Sequence, residues 1–248
     1  MKNQFSKFSL MALLAISSGC KTLQWSMDEG RGQLLQERSG DPLFTGTLGP
    51  TEKEEEQDPS WAAGGSEAPF LLFSDIQRDK VTFEEGFRPA KVTVSAWINT
   101  ETTYPGHARY VLAQGAHESG YASYALYTTS EPDQRGMQFY VKLAGQETVD
   151  LSPVAQLWNR EGAWHHVAGT FDGKKVSLYL DGVLVGATPS RGNTIAYSAE
   201  VRGDLSLGWF ADSDPVHVTG WNGPLDNVQV WGKALGAKKV REIYRKGR

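Results

Sequence analysis

The strongest constraint on the fold is a segment that reads as two β-strands joined by a tight turn. Residues 164–182 have the sequence WHHVAGTFDGKKVSLYLDG. Asp172 and Gly173 tolerate positive φ angles, which a short hairpin turn with the correct twist requires. Apolar residues then occupy every second position from 176 to 180, the pattern of a strand with one face in a core. The segment predicts an antiparallel hairpin, which a second Asp-Gly turn extends into a meander.

Three further motifs accompany the hairpin in order along the chain. WSMDEG begins at Trp25, VTVSAWI begins at Val92 and GPLDNVQVW begins at Gly223. With the hairpin, they resemble laminin-G-like domains, in particular the bacterial members with the concanavalin A-like jelly-roll fold. The resemblance runs from residue 23 to residue 244. It implies a fold rather than a ligand, because this superfamily contains lectins, adhesion modules, enzymes and enzyme appendages.

The predicted architecture is all-β, a two-sheet antiparallel jelly-roll sandwich of a dozen or so strands with a short C-terminal helix. Val240, Ile243 and Tyr244 recur at the helical spacing that predicts this helix. We expect the core to contain Trp97, Phe139, Val167, Leu178, Leu180, Leu207 and Val228.

The first 19 residues have the layout of a lipoprotein signal peptide. Lys2 and Lys7 precede an apolar run at residues 10–16, and small residues then lead to Cys20. The run is shorter than the roughly 20 residues that span a bilayer. We therefore expect export, cleavage before Cys20 and lipidation of that cysteine, which would anchor residues 20–248 to a membrane of the cell envelope, the outer membrane or one facing the periplasm. The alternative is ordinary signal cleavage, with Cys20 an incidental thiol.

Composition limits the class of protein and of partner. A chain of 248 residues with eight tryptophans can bury one sizeable core, so residues 20–248 are expected to form a single domain. The formal net charge of −4 gives no electrostatic reason to bind nucleic acid. Because there is one cysteine, no disulfide can form within the chain.

The sequence contains no recognisable set of catalytic groups. A retaining glycosidase needs two carboxyl groups roughly 5 Å apart, and no predicted strand carries acids at alternate positions. His165 and His166 are adjacent on a strand, so they point to opposite faces and do not chelate one metal together. An enzyme whose acids come from separated strands remains the alternative.

Aromatic residues supply the candidate ligand-binding site. On the strand at residues 137–143, Tyr140 shares a face with Gln138 and Lys142, and sugars stack on aromatic rings and hydrogen-bond to amides and charged groups. In the loop at residues 197–221 we expect exposed rings at Phe210, His217 and Trp221. Ordinary strand and loop surface is the alternative interpretation.

The resemblance to laminin-G-like domains also implies a structural calcium ion where the two ends of the domain meet. Asp28 and Asp226 match the family motifs at these ends and are the expected ligands. Calcium takes six to eight oxygens, so carbonyls of the Ser39 and Gly40 turn and water would complete the site. Alternatively, Asp28 caps a turn and Asp226 accepts backbone hydrogen bonds.

Taken together, the sequence predicts a membrane-anchored, non-catalytic module that binds a glycan or a protein of the cell envelope. A polysaccharide-active glycosidase or lyase of the same fold is the rival prediction. A third hypothesis is a structural envelope protein without a soluble ligand.

Overall fold

The computed structural model describes residues 21–49, 55, 58–63, 68–74, 79–99, 108–115, 120–129, 136–157, 162–197, 205–210 and 220–248. The predicted leader, Cys20 and His217 lie outside these residues. The first sheet contains β1 (Thr22–Trp25), β4 (Ser60–Ala63), β5 (Pro69–Phe73), β7 (Val92–Asn99), β13 (Trp164–Phe171), β14 (Lys175–Leu180), β15 (Val183–Pro189) and β17 (Gly223–Trp231). The second contains β2 (Leu34–Leu35), β3 (Gly46–Leu48), β6 (Val81–Thr82), β8 (Arg109–Gln114), β9 (Tyr124–Thr128), β10 (Gly136–Lys142), β11 (Val149–Leu151), β12 (Ala155–Gln156) and β16 (Leu205–Leu207).

The two sheets are antiparallel and form a sandwich. The first runs in the order β15-β14-β13-β7-β17-β5-β4, with β1 also paired to β17, and the second runs β11-β10-β9-β8-β16-β6-β3-β2, with β12 paired to β10. A 3₁₀ turn at Pro42–Phe44 and the helix α1 (Ala237–Lys246) complete the described elements. The predicted fold class is therefore confirmed, and very short strands raise the strand count above the dozen expected.

The central hairpin forms as predicted. The Asp172 carboxylate accepts the backbone N–H groups of Lys174 and Lys175 at 2.8 and 2.9 Å, and Gly173 takes a φ of 88° in the turn. The second turn, at Asp181 and Gly182, also has positive φ angles. These turns join β13, β14 and β15 into a meander at one edge of the first sheet.

The core lies between the sheets and contains most of the predicted residues. Five of them have no exposed surface: Phe139, Val167, Leu178, Leu207 and Val228. At Gly169 on β13 an added Cβ would stand 2.1 Å from Cγ of Phe139. Glycine at this position therefore lets the two sheets approach each other closely.

Two core predictions need correction. Trp97 is 9% exposed but lies on the outer face of the first sheet, because Ala96 and Ile98 take the inward positions on either side of it. Its ring stacks on Tyr244 of α1 at a centroid distance of 5.7 Å. Leu180 is half-buried at the end of β14, although it still packs against the core.

Candidate functional site

An aromatic cluster covers part of the outer face of the second sheet. Along β10 the side chains of Met137, Phe139 and Val141 enter the core, so Gln138, Tyr140 and Lys142 share the opposite face, as predicted. Four tyrosines and one phenylalanine gather on this face, and we call them the tyrosine layer: Tyr110, Tyr121, Tyr127, Tyr140 and Phe210.

The rings of the tyrosine layer contact one another directly. Tyr110 stacks on Phe210 at 4.8 Å and on Tyr127 at 5.5 Å between ring centroids. Tyr140 forms T-shaped pairs with Tyr127 at 5.2 Å and with Tyr121 at 6.0 Å between ring centroids. Stacked and edge-to-face pairs at these separations are the favoured aromatic geometries.

Hydrogen bonds fix the orientation of the tyrosine layer. The Tyr127 hydroxyl donates to Oε1 of Gln138 at 2.8 Å, and Nε2 of Gln138 donates to the Ser152 carbonyl at 2.7 Å. The Tyr140 hydroxyl oxygen accepts the Ala122 N–H at 2.9 Å. Burial raises the pKa of Tyr127 and of Tyr140 above that of a free phenol, so both hydroxyls are neutral at physiological pH.

The predicted aromatic residues are less exposed than expected. Tyr140 is 1% exposed and Phe210 3%, because neighbouring rings cover them. Trp221 is 1% exposed and belongs to the main core. The half-buried rings that reach the surface of this layer are those of Tyr121 and Tyr127, which sequence reasoning missed. Alternation along β9 could have placed Tyr127 on the outer face.

A second site lies on the outer face of the first sheet, and we call it the helix cleft. It is a cavity of about 430 Å³ between strands β1, β7, β13 and β17 and the end of α1. Its lining consists of Gln24, Ser26, Asp28, Arg38, Trp97, His166, Asn227, Gln229, Ile243, Lys246, Gly247 and Arg248.

The two predicted metal ligands are both found at the helix cleft. Asp28 is exposed on its wall, and Asp226 is buried beside it. One Asp226 oxygen accepts the Asn227 N–H at 2.7 Å, and the other lies 3.2 Å from Nε of Arg248. Burial raises the pKa of Asp226 to about 7; the charge of Asp28 adds to this effect, whereas Asn227 and Arg248 oppose it. The structure thus brings the two motifs together in space.

Arg248 is held in place by several groups at once. Its guanidinium carbon lies 4.2 Å from the ring centroid of Trp164 and 5.5 Å from that of Phe70. Nη2 donates to the Ala68 carbonyl at 3.1 Å. A cation of the chain itself therefore faces Asp226.

This arrangement does not by itself form a calcium site. The Asp226 oxygens face the Asn227 N–H and the Arg248 guanidinium, and calcium requires six to eight oxygen ligands. Nowhere in the described ranges do three histidine, cysteine or acidic side chains gather closely enough to hold a metal ion. Calcium binding remains a prediction, in which the ion would have to displace the Arg248 guanidinium from Asp226.

The two adjacent histidines occupy opposite faces of β13. His165 Nδ1 lies 2.9 Å from the Asp181 carboxylate. His166 is 1% exposed on the helix cleft side, with its ring 5.5 Å from that of Trp97. Neither His166 ring nitrogen has a hydrogen-bond partner among the described residues. Burial lowers its pKa to about 4, so the ring is neutral at physiological pH.

Two packed antiparallel sheets, with an aromatic layer outside one and a polar cleft outside the other, define a β-sandwich of the jelly-roll class. Residues 77–241 match the Laminin_G_3 family model, described as the concanavalin A-like lectin/glucanases superfamily. The chain therefore belongs to this family.

Solved structures with the same fold share little sequence with the chain. Domain 4 of AbnA, a GH43 extracellular arabinanase from Geobacillus stearothermophilus in complex with arabinotriose, has a TM-score of 0.63 at 15% identity, covering 91% of this chain and 99% of that one. A structure of botulinum neurotoxin type C, whose cell entry is dependent upon interaction with two ganglioside molecules, has a TM-score of 0.63 at 14% identity. The match covers 93% of this chain and 52% of the neurotoxin chain.

A Trypanosoma rangeli sialidase, in complex with 2,3-difluorosialic acid, is also similar, with a TM-score of 0.55 at 13% identity. That match covers 92% of this chain and 33% of the sialidase, so the chain spans about half of the neurotoxin chain and a third of the enzyme. At these identities the likeness concerns the fold. A comparison with curated protein sequences finds no significant match.

Proposed function

We propose that the chain is a non-catalytic glycan-binding module of the cell envelope. The observation that carries this proposal is the tyrosine layer, in which Tyr121 and Tyr127 offer partly accessible rings on a preformed surface. Aromatic faces stack on sugar rings, and a fixed layer loses little conformational entropy on binding. The arabinanase domain in complex with arabinotriose and the neurotoxin whose cell entry depends on gangliosides are consistent with this use of the fold.

Charged groups around the layer support binding rather than hydrolysis. Asp150 is the sole carboxylate within the nine described strands of the second sheet, and it pairs with Arg191 Nε at 2.5 Å. Lys142 Nζ lies 5.6 Å from the Tyr121 ring centroid and donates to the Glu147 carbonyl, which fixes a positive charge beside the partly accessible ring. Membrane attachment through a lipid on Cys20 completes the proposal. Within the described residues no helix has the length and apolarity to span a bilayer.

A glycan array with the full chain in detergent tests this function. We expect binding to a defined set of glycans and a loss of about tenfold or more for Tyr121→Ala, since stacking on one ring contributes on the order of 1 kcal/mol or more. Leu184→Ala, which changes an exposed residue of β15 in the other sheet, should bind normally.

The rival functions give different results in parallel assays. Release of reducing ends from a polysaccharide panel, abolished by a single carboxylate substitution, would show that the module is an enzyme. A negative array combined with capture of one purified envelope protein, lost in Tyr121→Ala, would reassign the tyrosine layer to protein binding. A negative array without such capture would favour a structural role.

A further inference from the structure

Several polar side chains that line the helix cleft make no hydrogen bond within the part of the chain that the structure describes. Gln24 on β1 and Gln229 on β17 are opposite each other in the strand register and both are half-buried. In the described part of the chain neither side-chain amide has a hydrogen-bond partner, and the same holds for the Ser26 hydroxyl and the Asn227 amide. Side-chain donors and acceptors thus lie next to one another on one wall of a 430 Å³ cavity.

The backbone is distorted where this wall is formed. The register of β17 against β7 shifts between Asp226 and Gln229, which is a β-bulge. Asn227 within the bulge has a φ of 45°, and Met27 on the neighbouring chain segment has a φ of 59°. Non-glycine residues with positive φ are uncommon and concentrate at binding sites. Bulges also occur often next to functional sites, where they change the direction of a side chain. Asn227, within this bulge, lines the cleft.

A buried imidazole lies on the wall of the same cavity. His166 is 1% exposed and neither ring nitrogen is hydrogen bonded among the described residues. Most buried polar groups in folded proteins have a partner, and leaving one without a partner is destabilising. A polar ligand in the cleft would recover part of this free energy after a small side-chain adjustment.

Positive charge predominates on the lining of the cleft. Arg38, Lys246 and Arg248 line it together with Asp28, and Arg248 is paired with Asp226 beside the cleft. Among the described residues, Arg38 and Lys246 are the lining cations outside that pair. The turn that carries Arg38 is fixed, because the buried Glu37 carboxylate accepts the N–H groups of Gln24 at 3.0 Å and of Ser39 at 2.8 Å. The Arg38 guanidinium itself has no ion-pair or hydrogen-bond partner in the described ranges. A planar guanidinium of this kind suits bidentate binding of a carboxylate.

We propose that the helix cleft is a second binding site, for a saccharide that bears a carboxylate. Arg38 binds the carboxylate, and the amides of Gln24, Asn227 and Gln229 bind the ring hydroxyls. The cavity volume lies within the roughly 300–1,000 Å³ that small-ligand sites occupy. A neutral apolar ligand does not fit this lining, because the described cavity wall is mainly amide, hydroxyl and charged groups.

Calorimetric titration of the full chain in detergent tests the proposal with matched ligands. The probes are uronic-acid oligosaccharides of three units, each compared with its methyl ester, which has the same hydroxyls but no charge. We expect at least one acid to bind and its ester to bind about 10- to 100-fold more weakly, the loss typical of a charge-assisted hydrogen bond. Arg38→Gln should weaken binding of the acid by a similar factor, and Arg38→Lys should retain part of the wild-type affinity. Gln229→Ala should weaken binding of the acid about 3- to 10-fold.

Control variants separate this site from the tyrosine layer. Lys175→Gln removes an exposed charge at the turn end of β14 and should not change binding of the acid. Tyr121→Ala should weaken glycan binding at the tyrosine layer about tenfold or more and leave the helix cleft unaffected, so failure of one site is distinguishable from failure of the other. The proposal is overturned if no acid binds more tightly than its ester, or if Arg38→Gln binds the acid as well as the wild type does.

Discussion

The Arg248 guanidinium and the Asp226 carboxylate face each other at 3.2 Å between Nε and Oδ2, next to the helix cleft. Arg248→Ala removes this ion pair together with the contact to the Trp164 ring. We expect a loss of about 2–4 kcal/mol in the free energy of unfolding at pH 8 and a smaller loss at pH 5, where Asp226 is protonated. Urea unfolding at both pH values measures this, with the exposed Arg245→Ala as control. Equal losses at the two pH values would show that the ion pair is not the cause.

Two leucines on β14 test the orientation of the central hairpin. Leu178 has no exposed surface, whereas Leu180 is half-buried at the strand end. Leu178→Ala should lower the free energy of unfolding by about 2–5 kcal/mol, and Leu180→Ala by about half as much, because less area leaves the core. Chemical denaturation of both variants gives the comparison. A cost near zero for both variants would mean that the strand is turned inside out, because the two leucines share one face.

His166 and Asp226 predict opposing pH dependences of stability. His166 has a folded pKa of about 4, below the roughly 6.5 of a free imidazole, so the unfolded state binds its proton first and stability falls as pH drops through this window. Asp226 has a folded pKa of about 7, above the roughly 3.9 of a free carboxyl. The folded state therefore holds this proton, and stability falls as pH rises from about 4 to 7.

Substitutions separate the two contributions. Relative to wild type, His166→Phe should gain stability as pH falls from 6.5 to 4, and Asp226→Asn should gain stability as pH rises from 4 to 7. Thermal unfolding across this range measures both differences. Curves parallel to that of the wild type would show that neither group titrates as its burial implies.

Calcium binding between Asp28 and Asp226 has a direct test in the unfolding midpoint. A bound ion stabilises the native state by mass action, because the unfolded chain cannot assemble the site. If calcium binds, it must displace Arg248, so Arg248→Ala should show a larger rise in Tm with calcium over chelator than the wild type. Asp226→Ala should show no rise. An unchanged Tm in all three proteins would eliminate the site.

The predicted lipid anchor depends on Cys20. Replacing Cys20 by Ala should move the protein from membrane to soluble fractions, because the thiol that would carry the acyl chains is gone. Ser6→Ala, which changes the same leader but keeps the cysteine, should leave the distribution unchanged. Fractionation followed by immunoblotting measures both. Retention of Cys20→Ala in the membrane fraction would disprove lipoprotein anchoring.

Local sequence signals were sufficient to predict the hairpin and the alternation on β10. In both cases the information lies within a few residues, in the Asp-Gly turns and in the two-residue period. The prediction that Trp97 lies in the core between the sheets was wrong because its strand is buried on both faces, by the second sheet inside and by α1 outside. Period alone does not then distinguish the two faces.

The candidate sites were harder to predict, because each combines distant segments. The helix cleft brings together Gln24, Arg38 and Asn227 through the pairing of β1 with β17 and the fixed turn after β2. Phe210 was expected at the surface because it lies in a loop, but its contact with Tyr110 from β8 buries it.

The place of β17 in the first sheet governs when the chain can fold during its synthesis. β17 is the last strand in chain order, yet it lies between β7 and β5 and also pairs with β1. Until residue 231 has left the ribosome, β7, β5 and β1 lack this partner and the core stays open. Sheets built from such distant pairings form slowly. The first sheet therefore closes only after β17 has been made, and a chain whose sheet is still open can be threaded through a narrow channel.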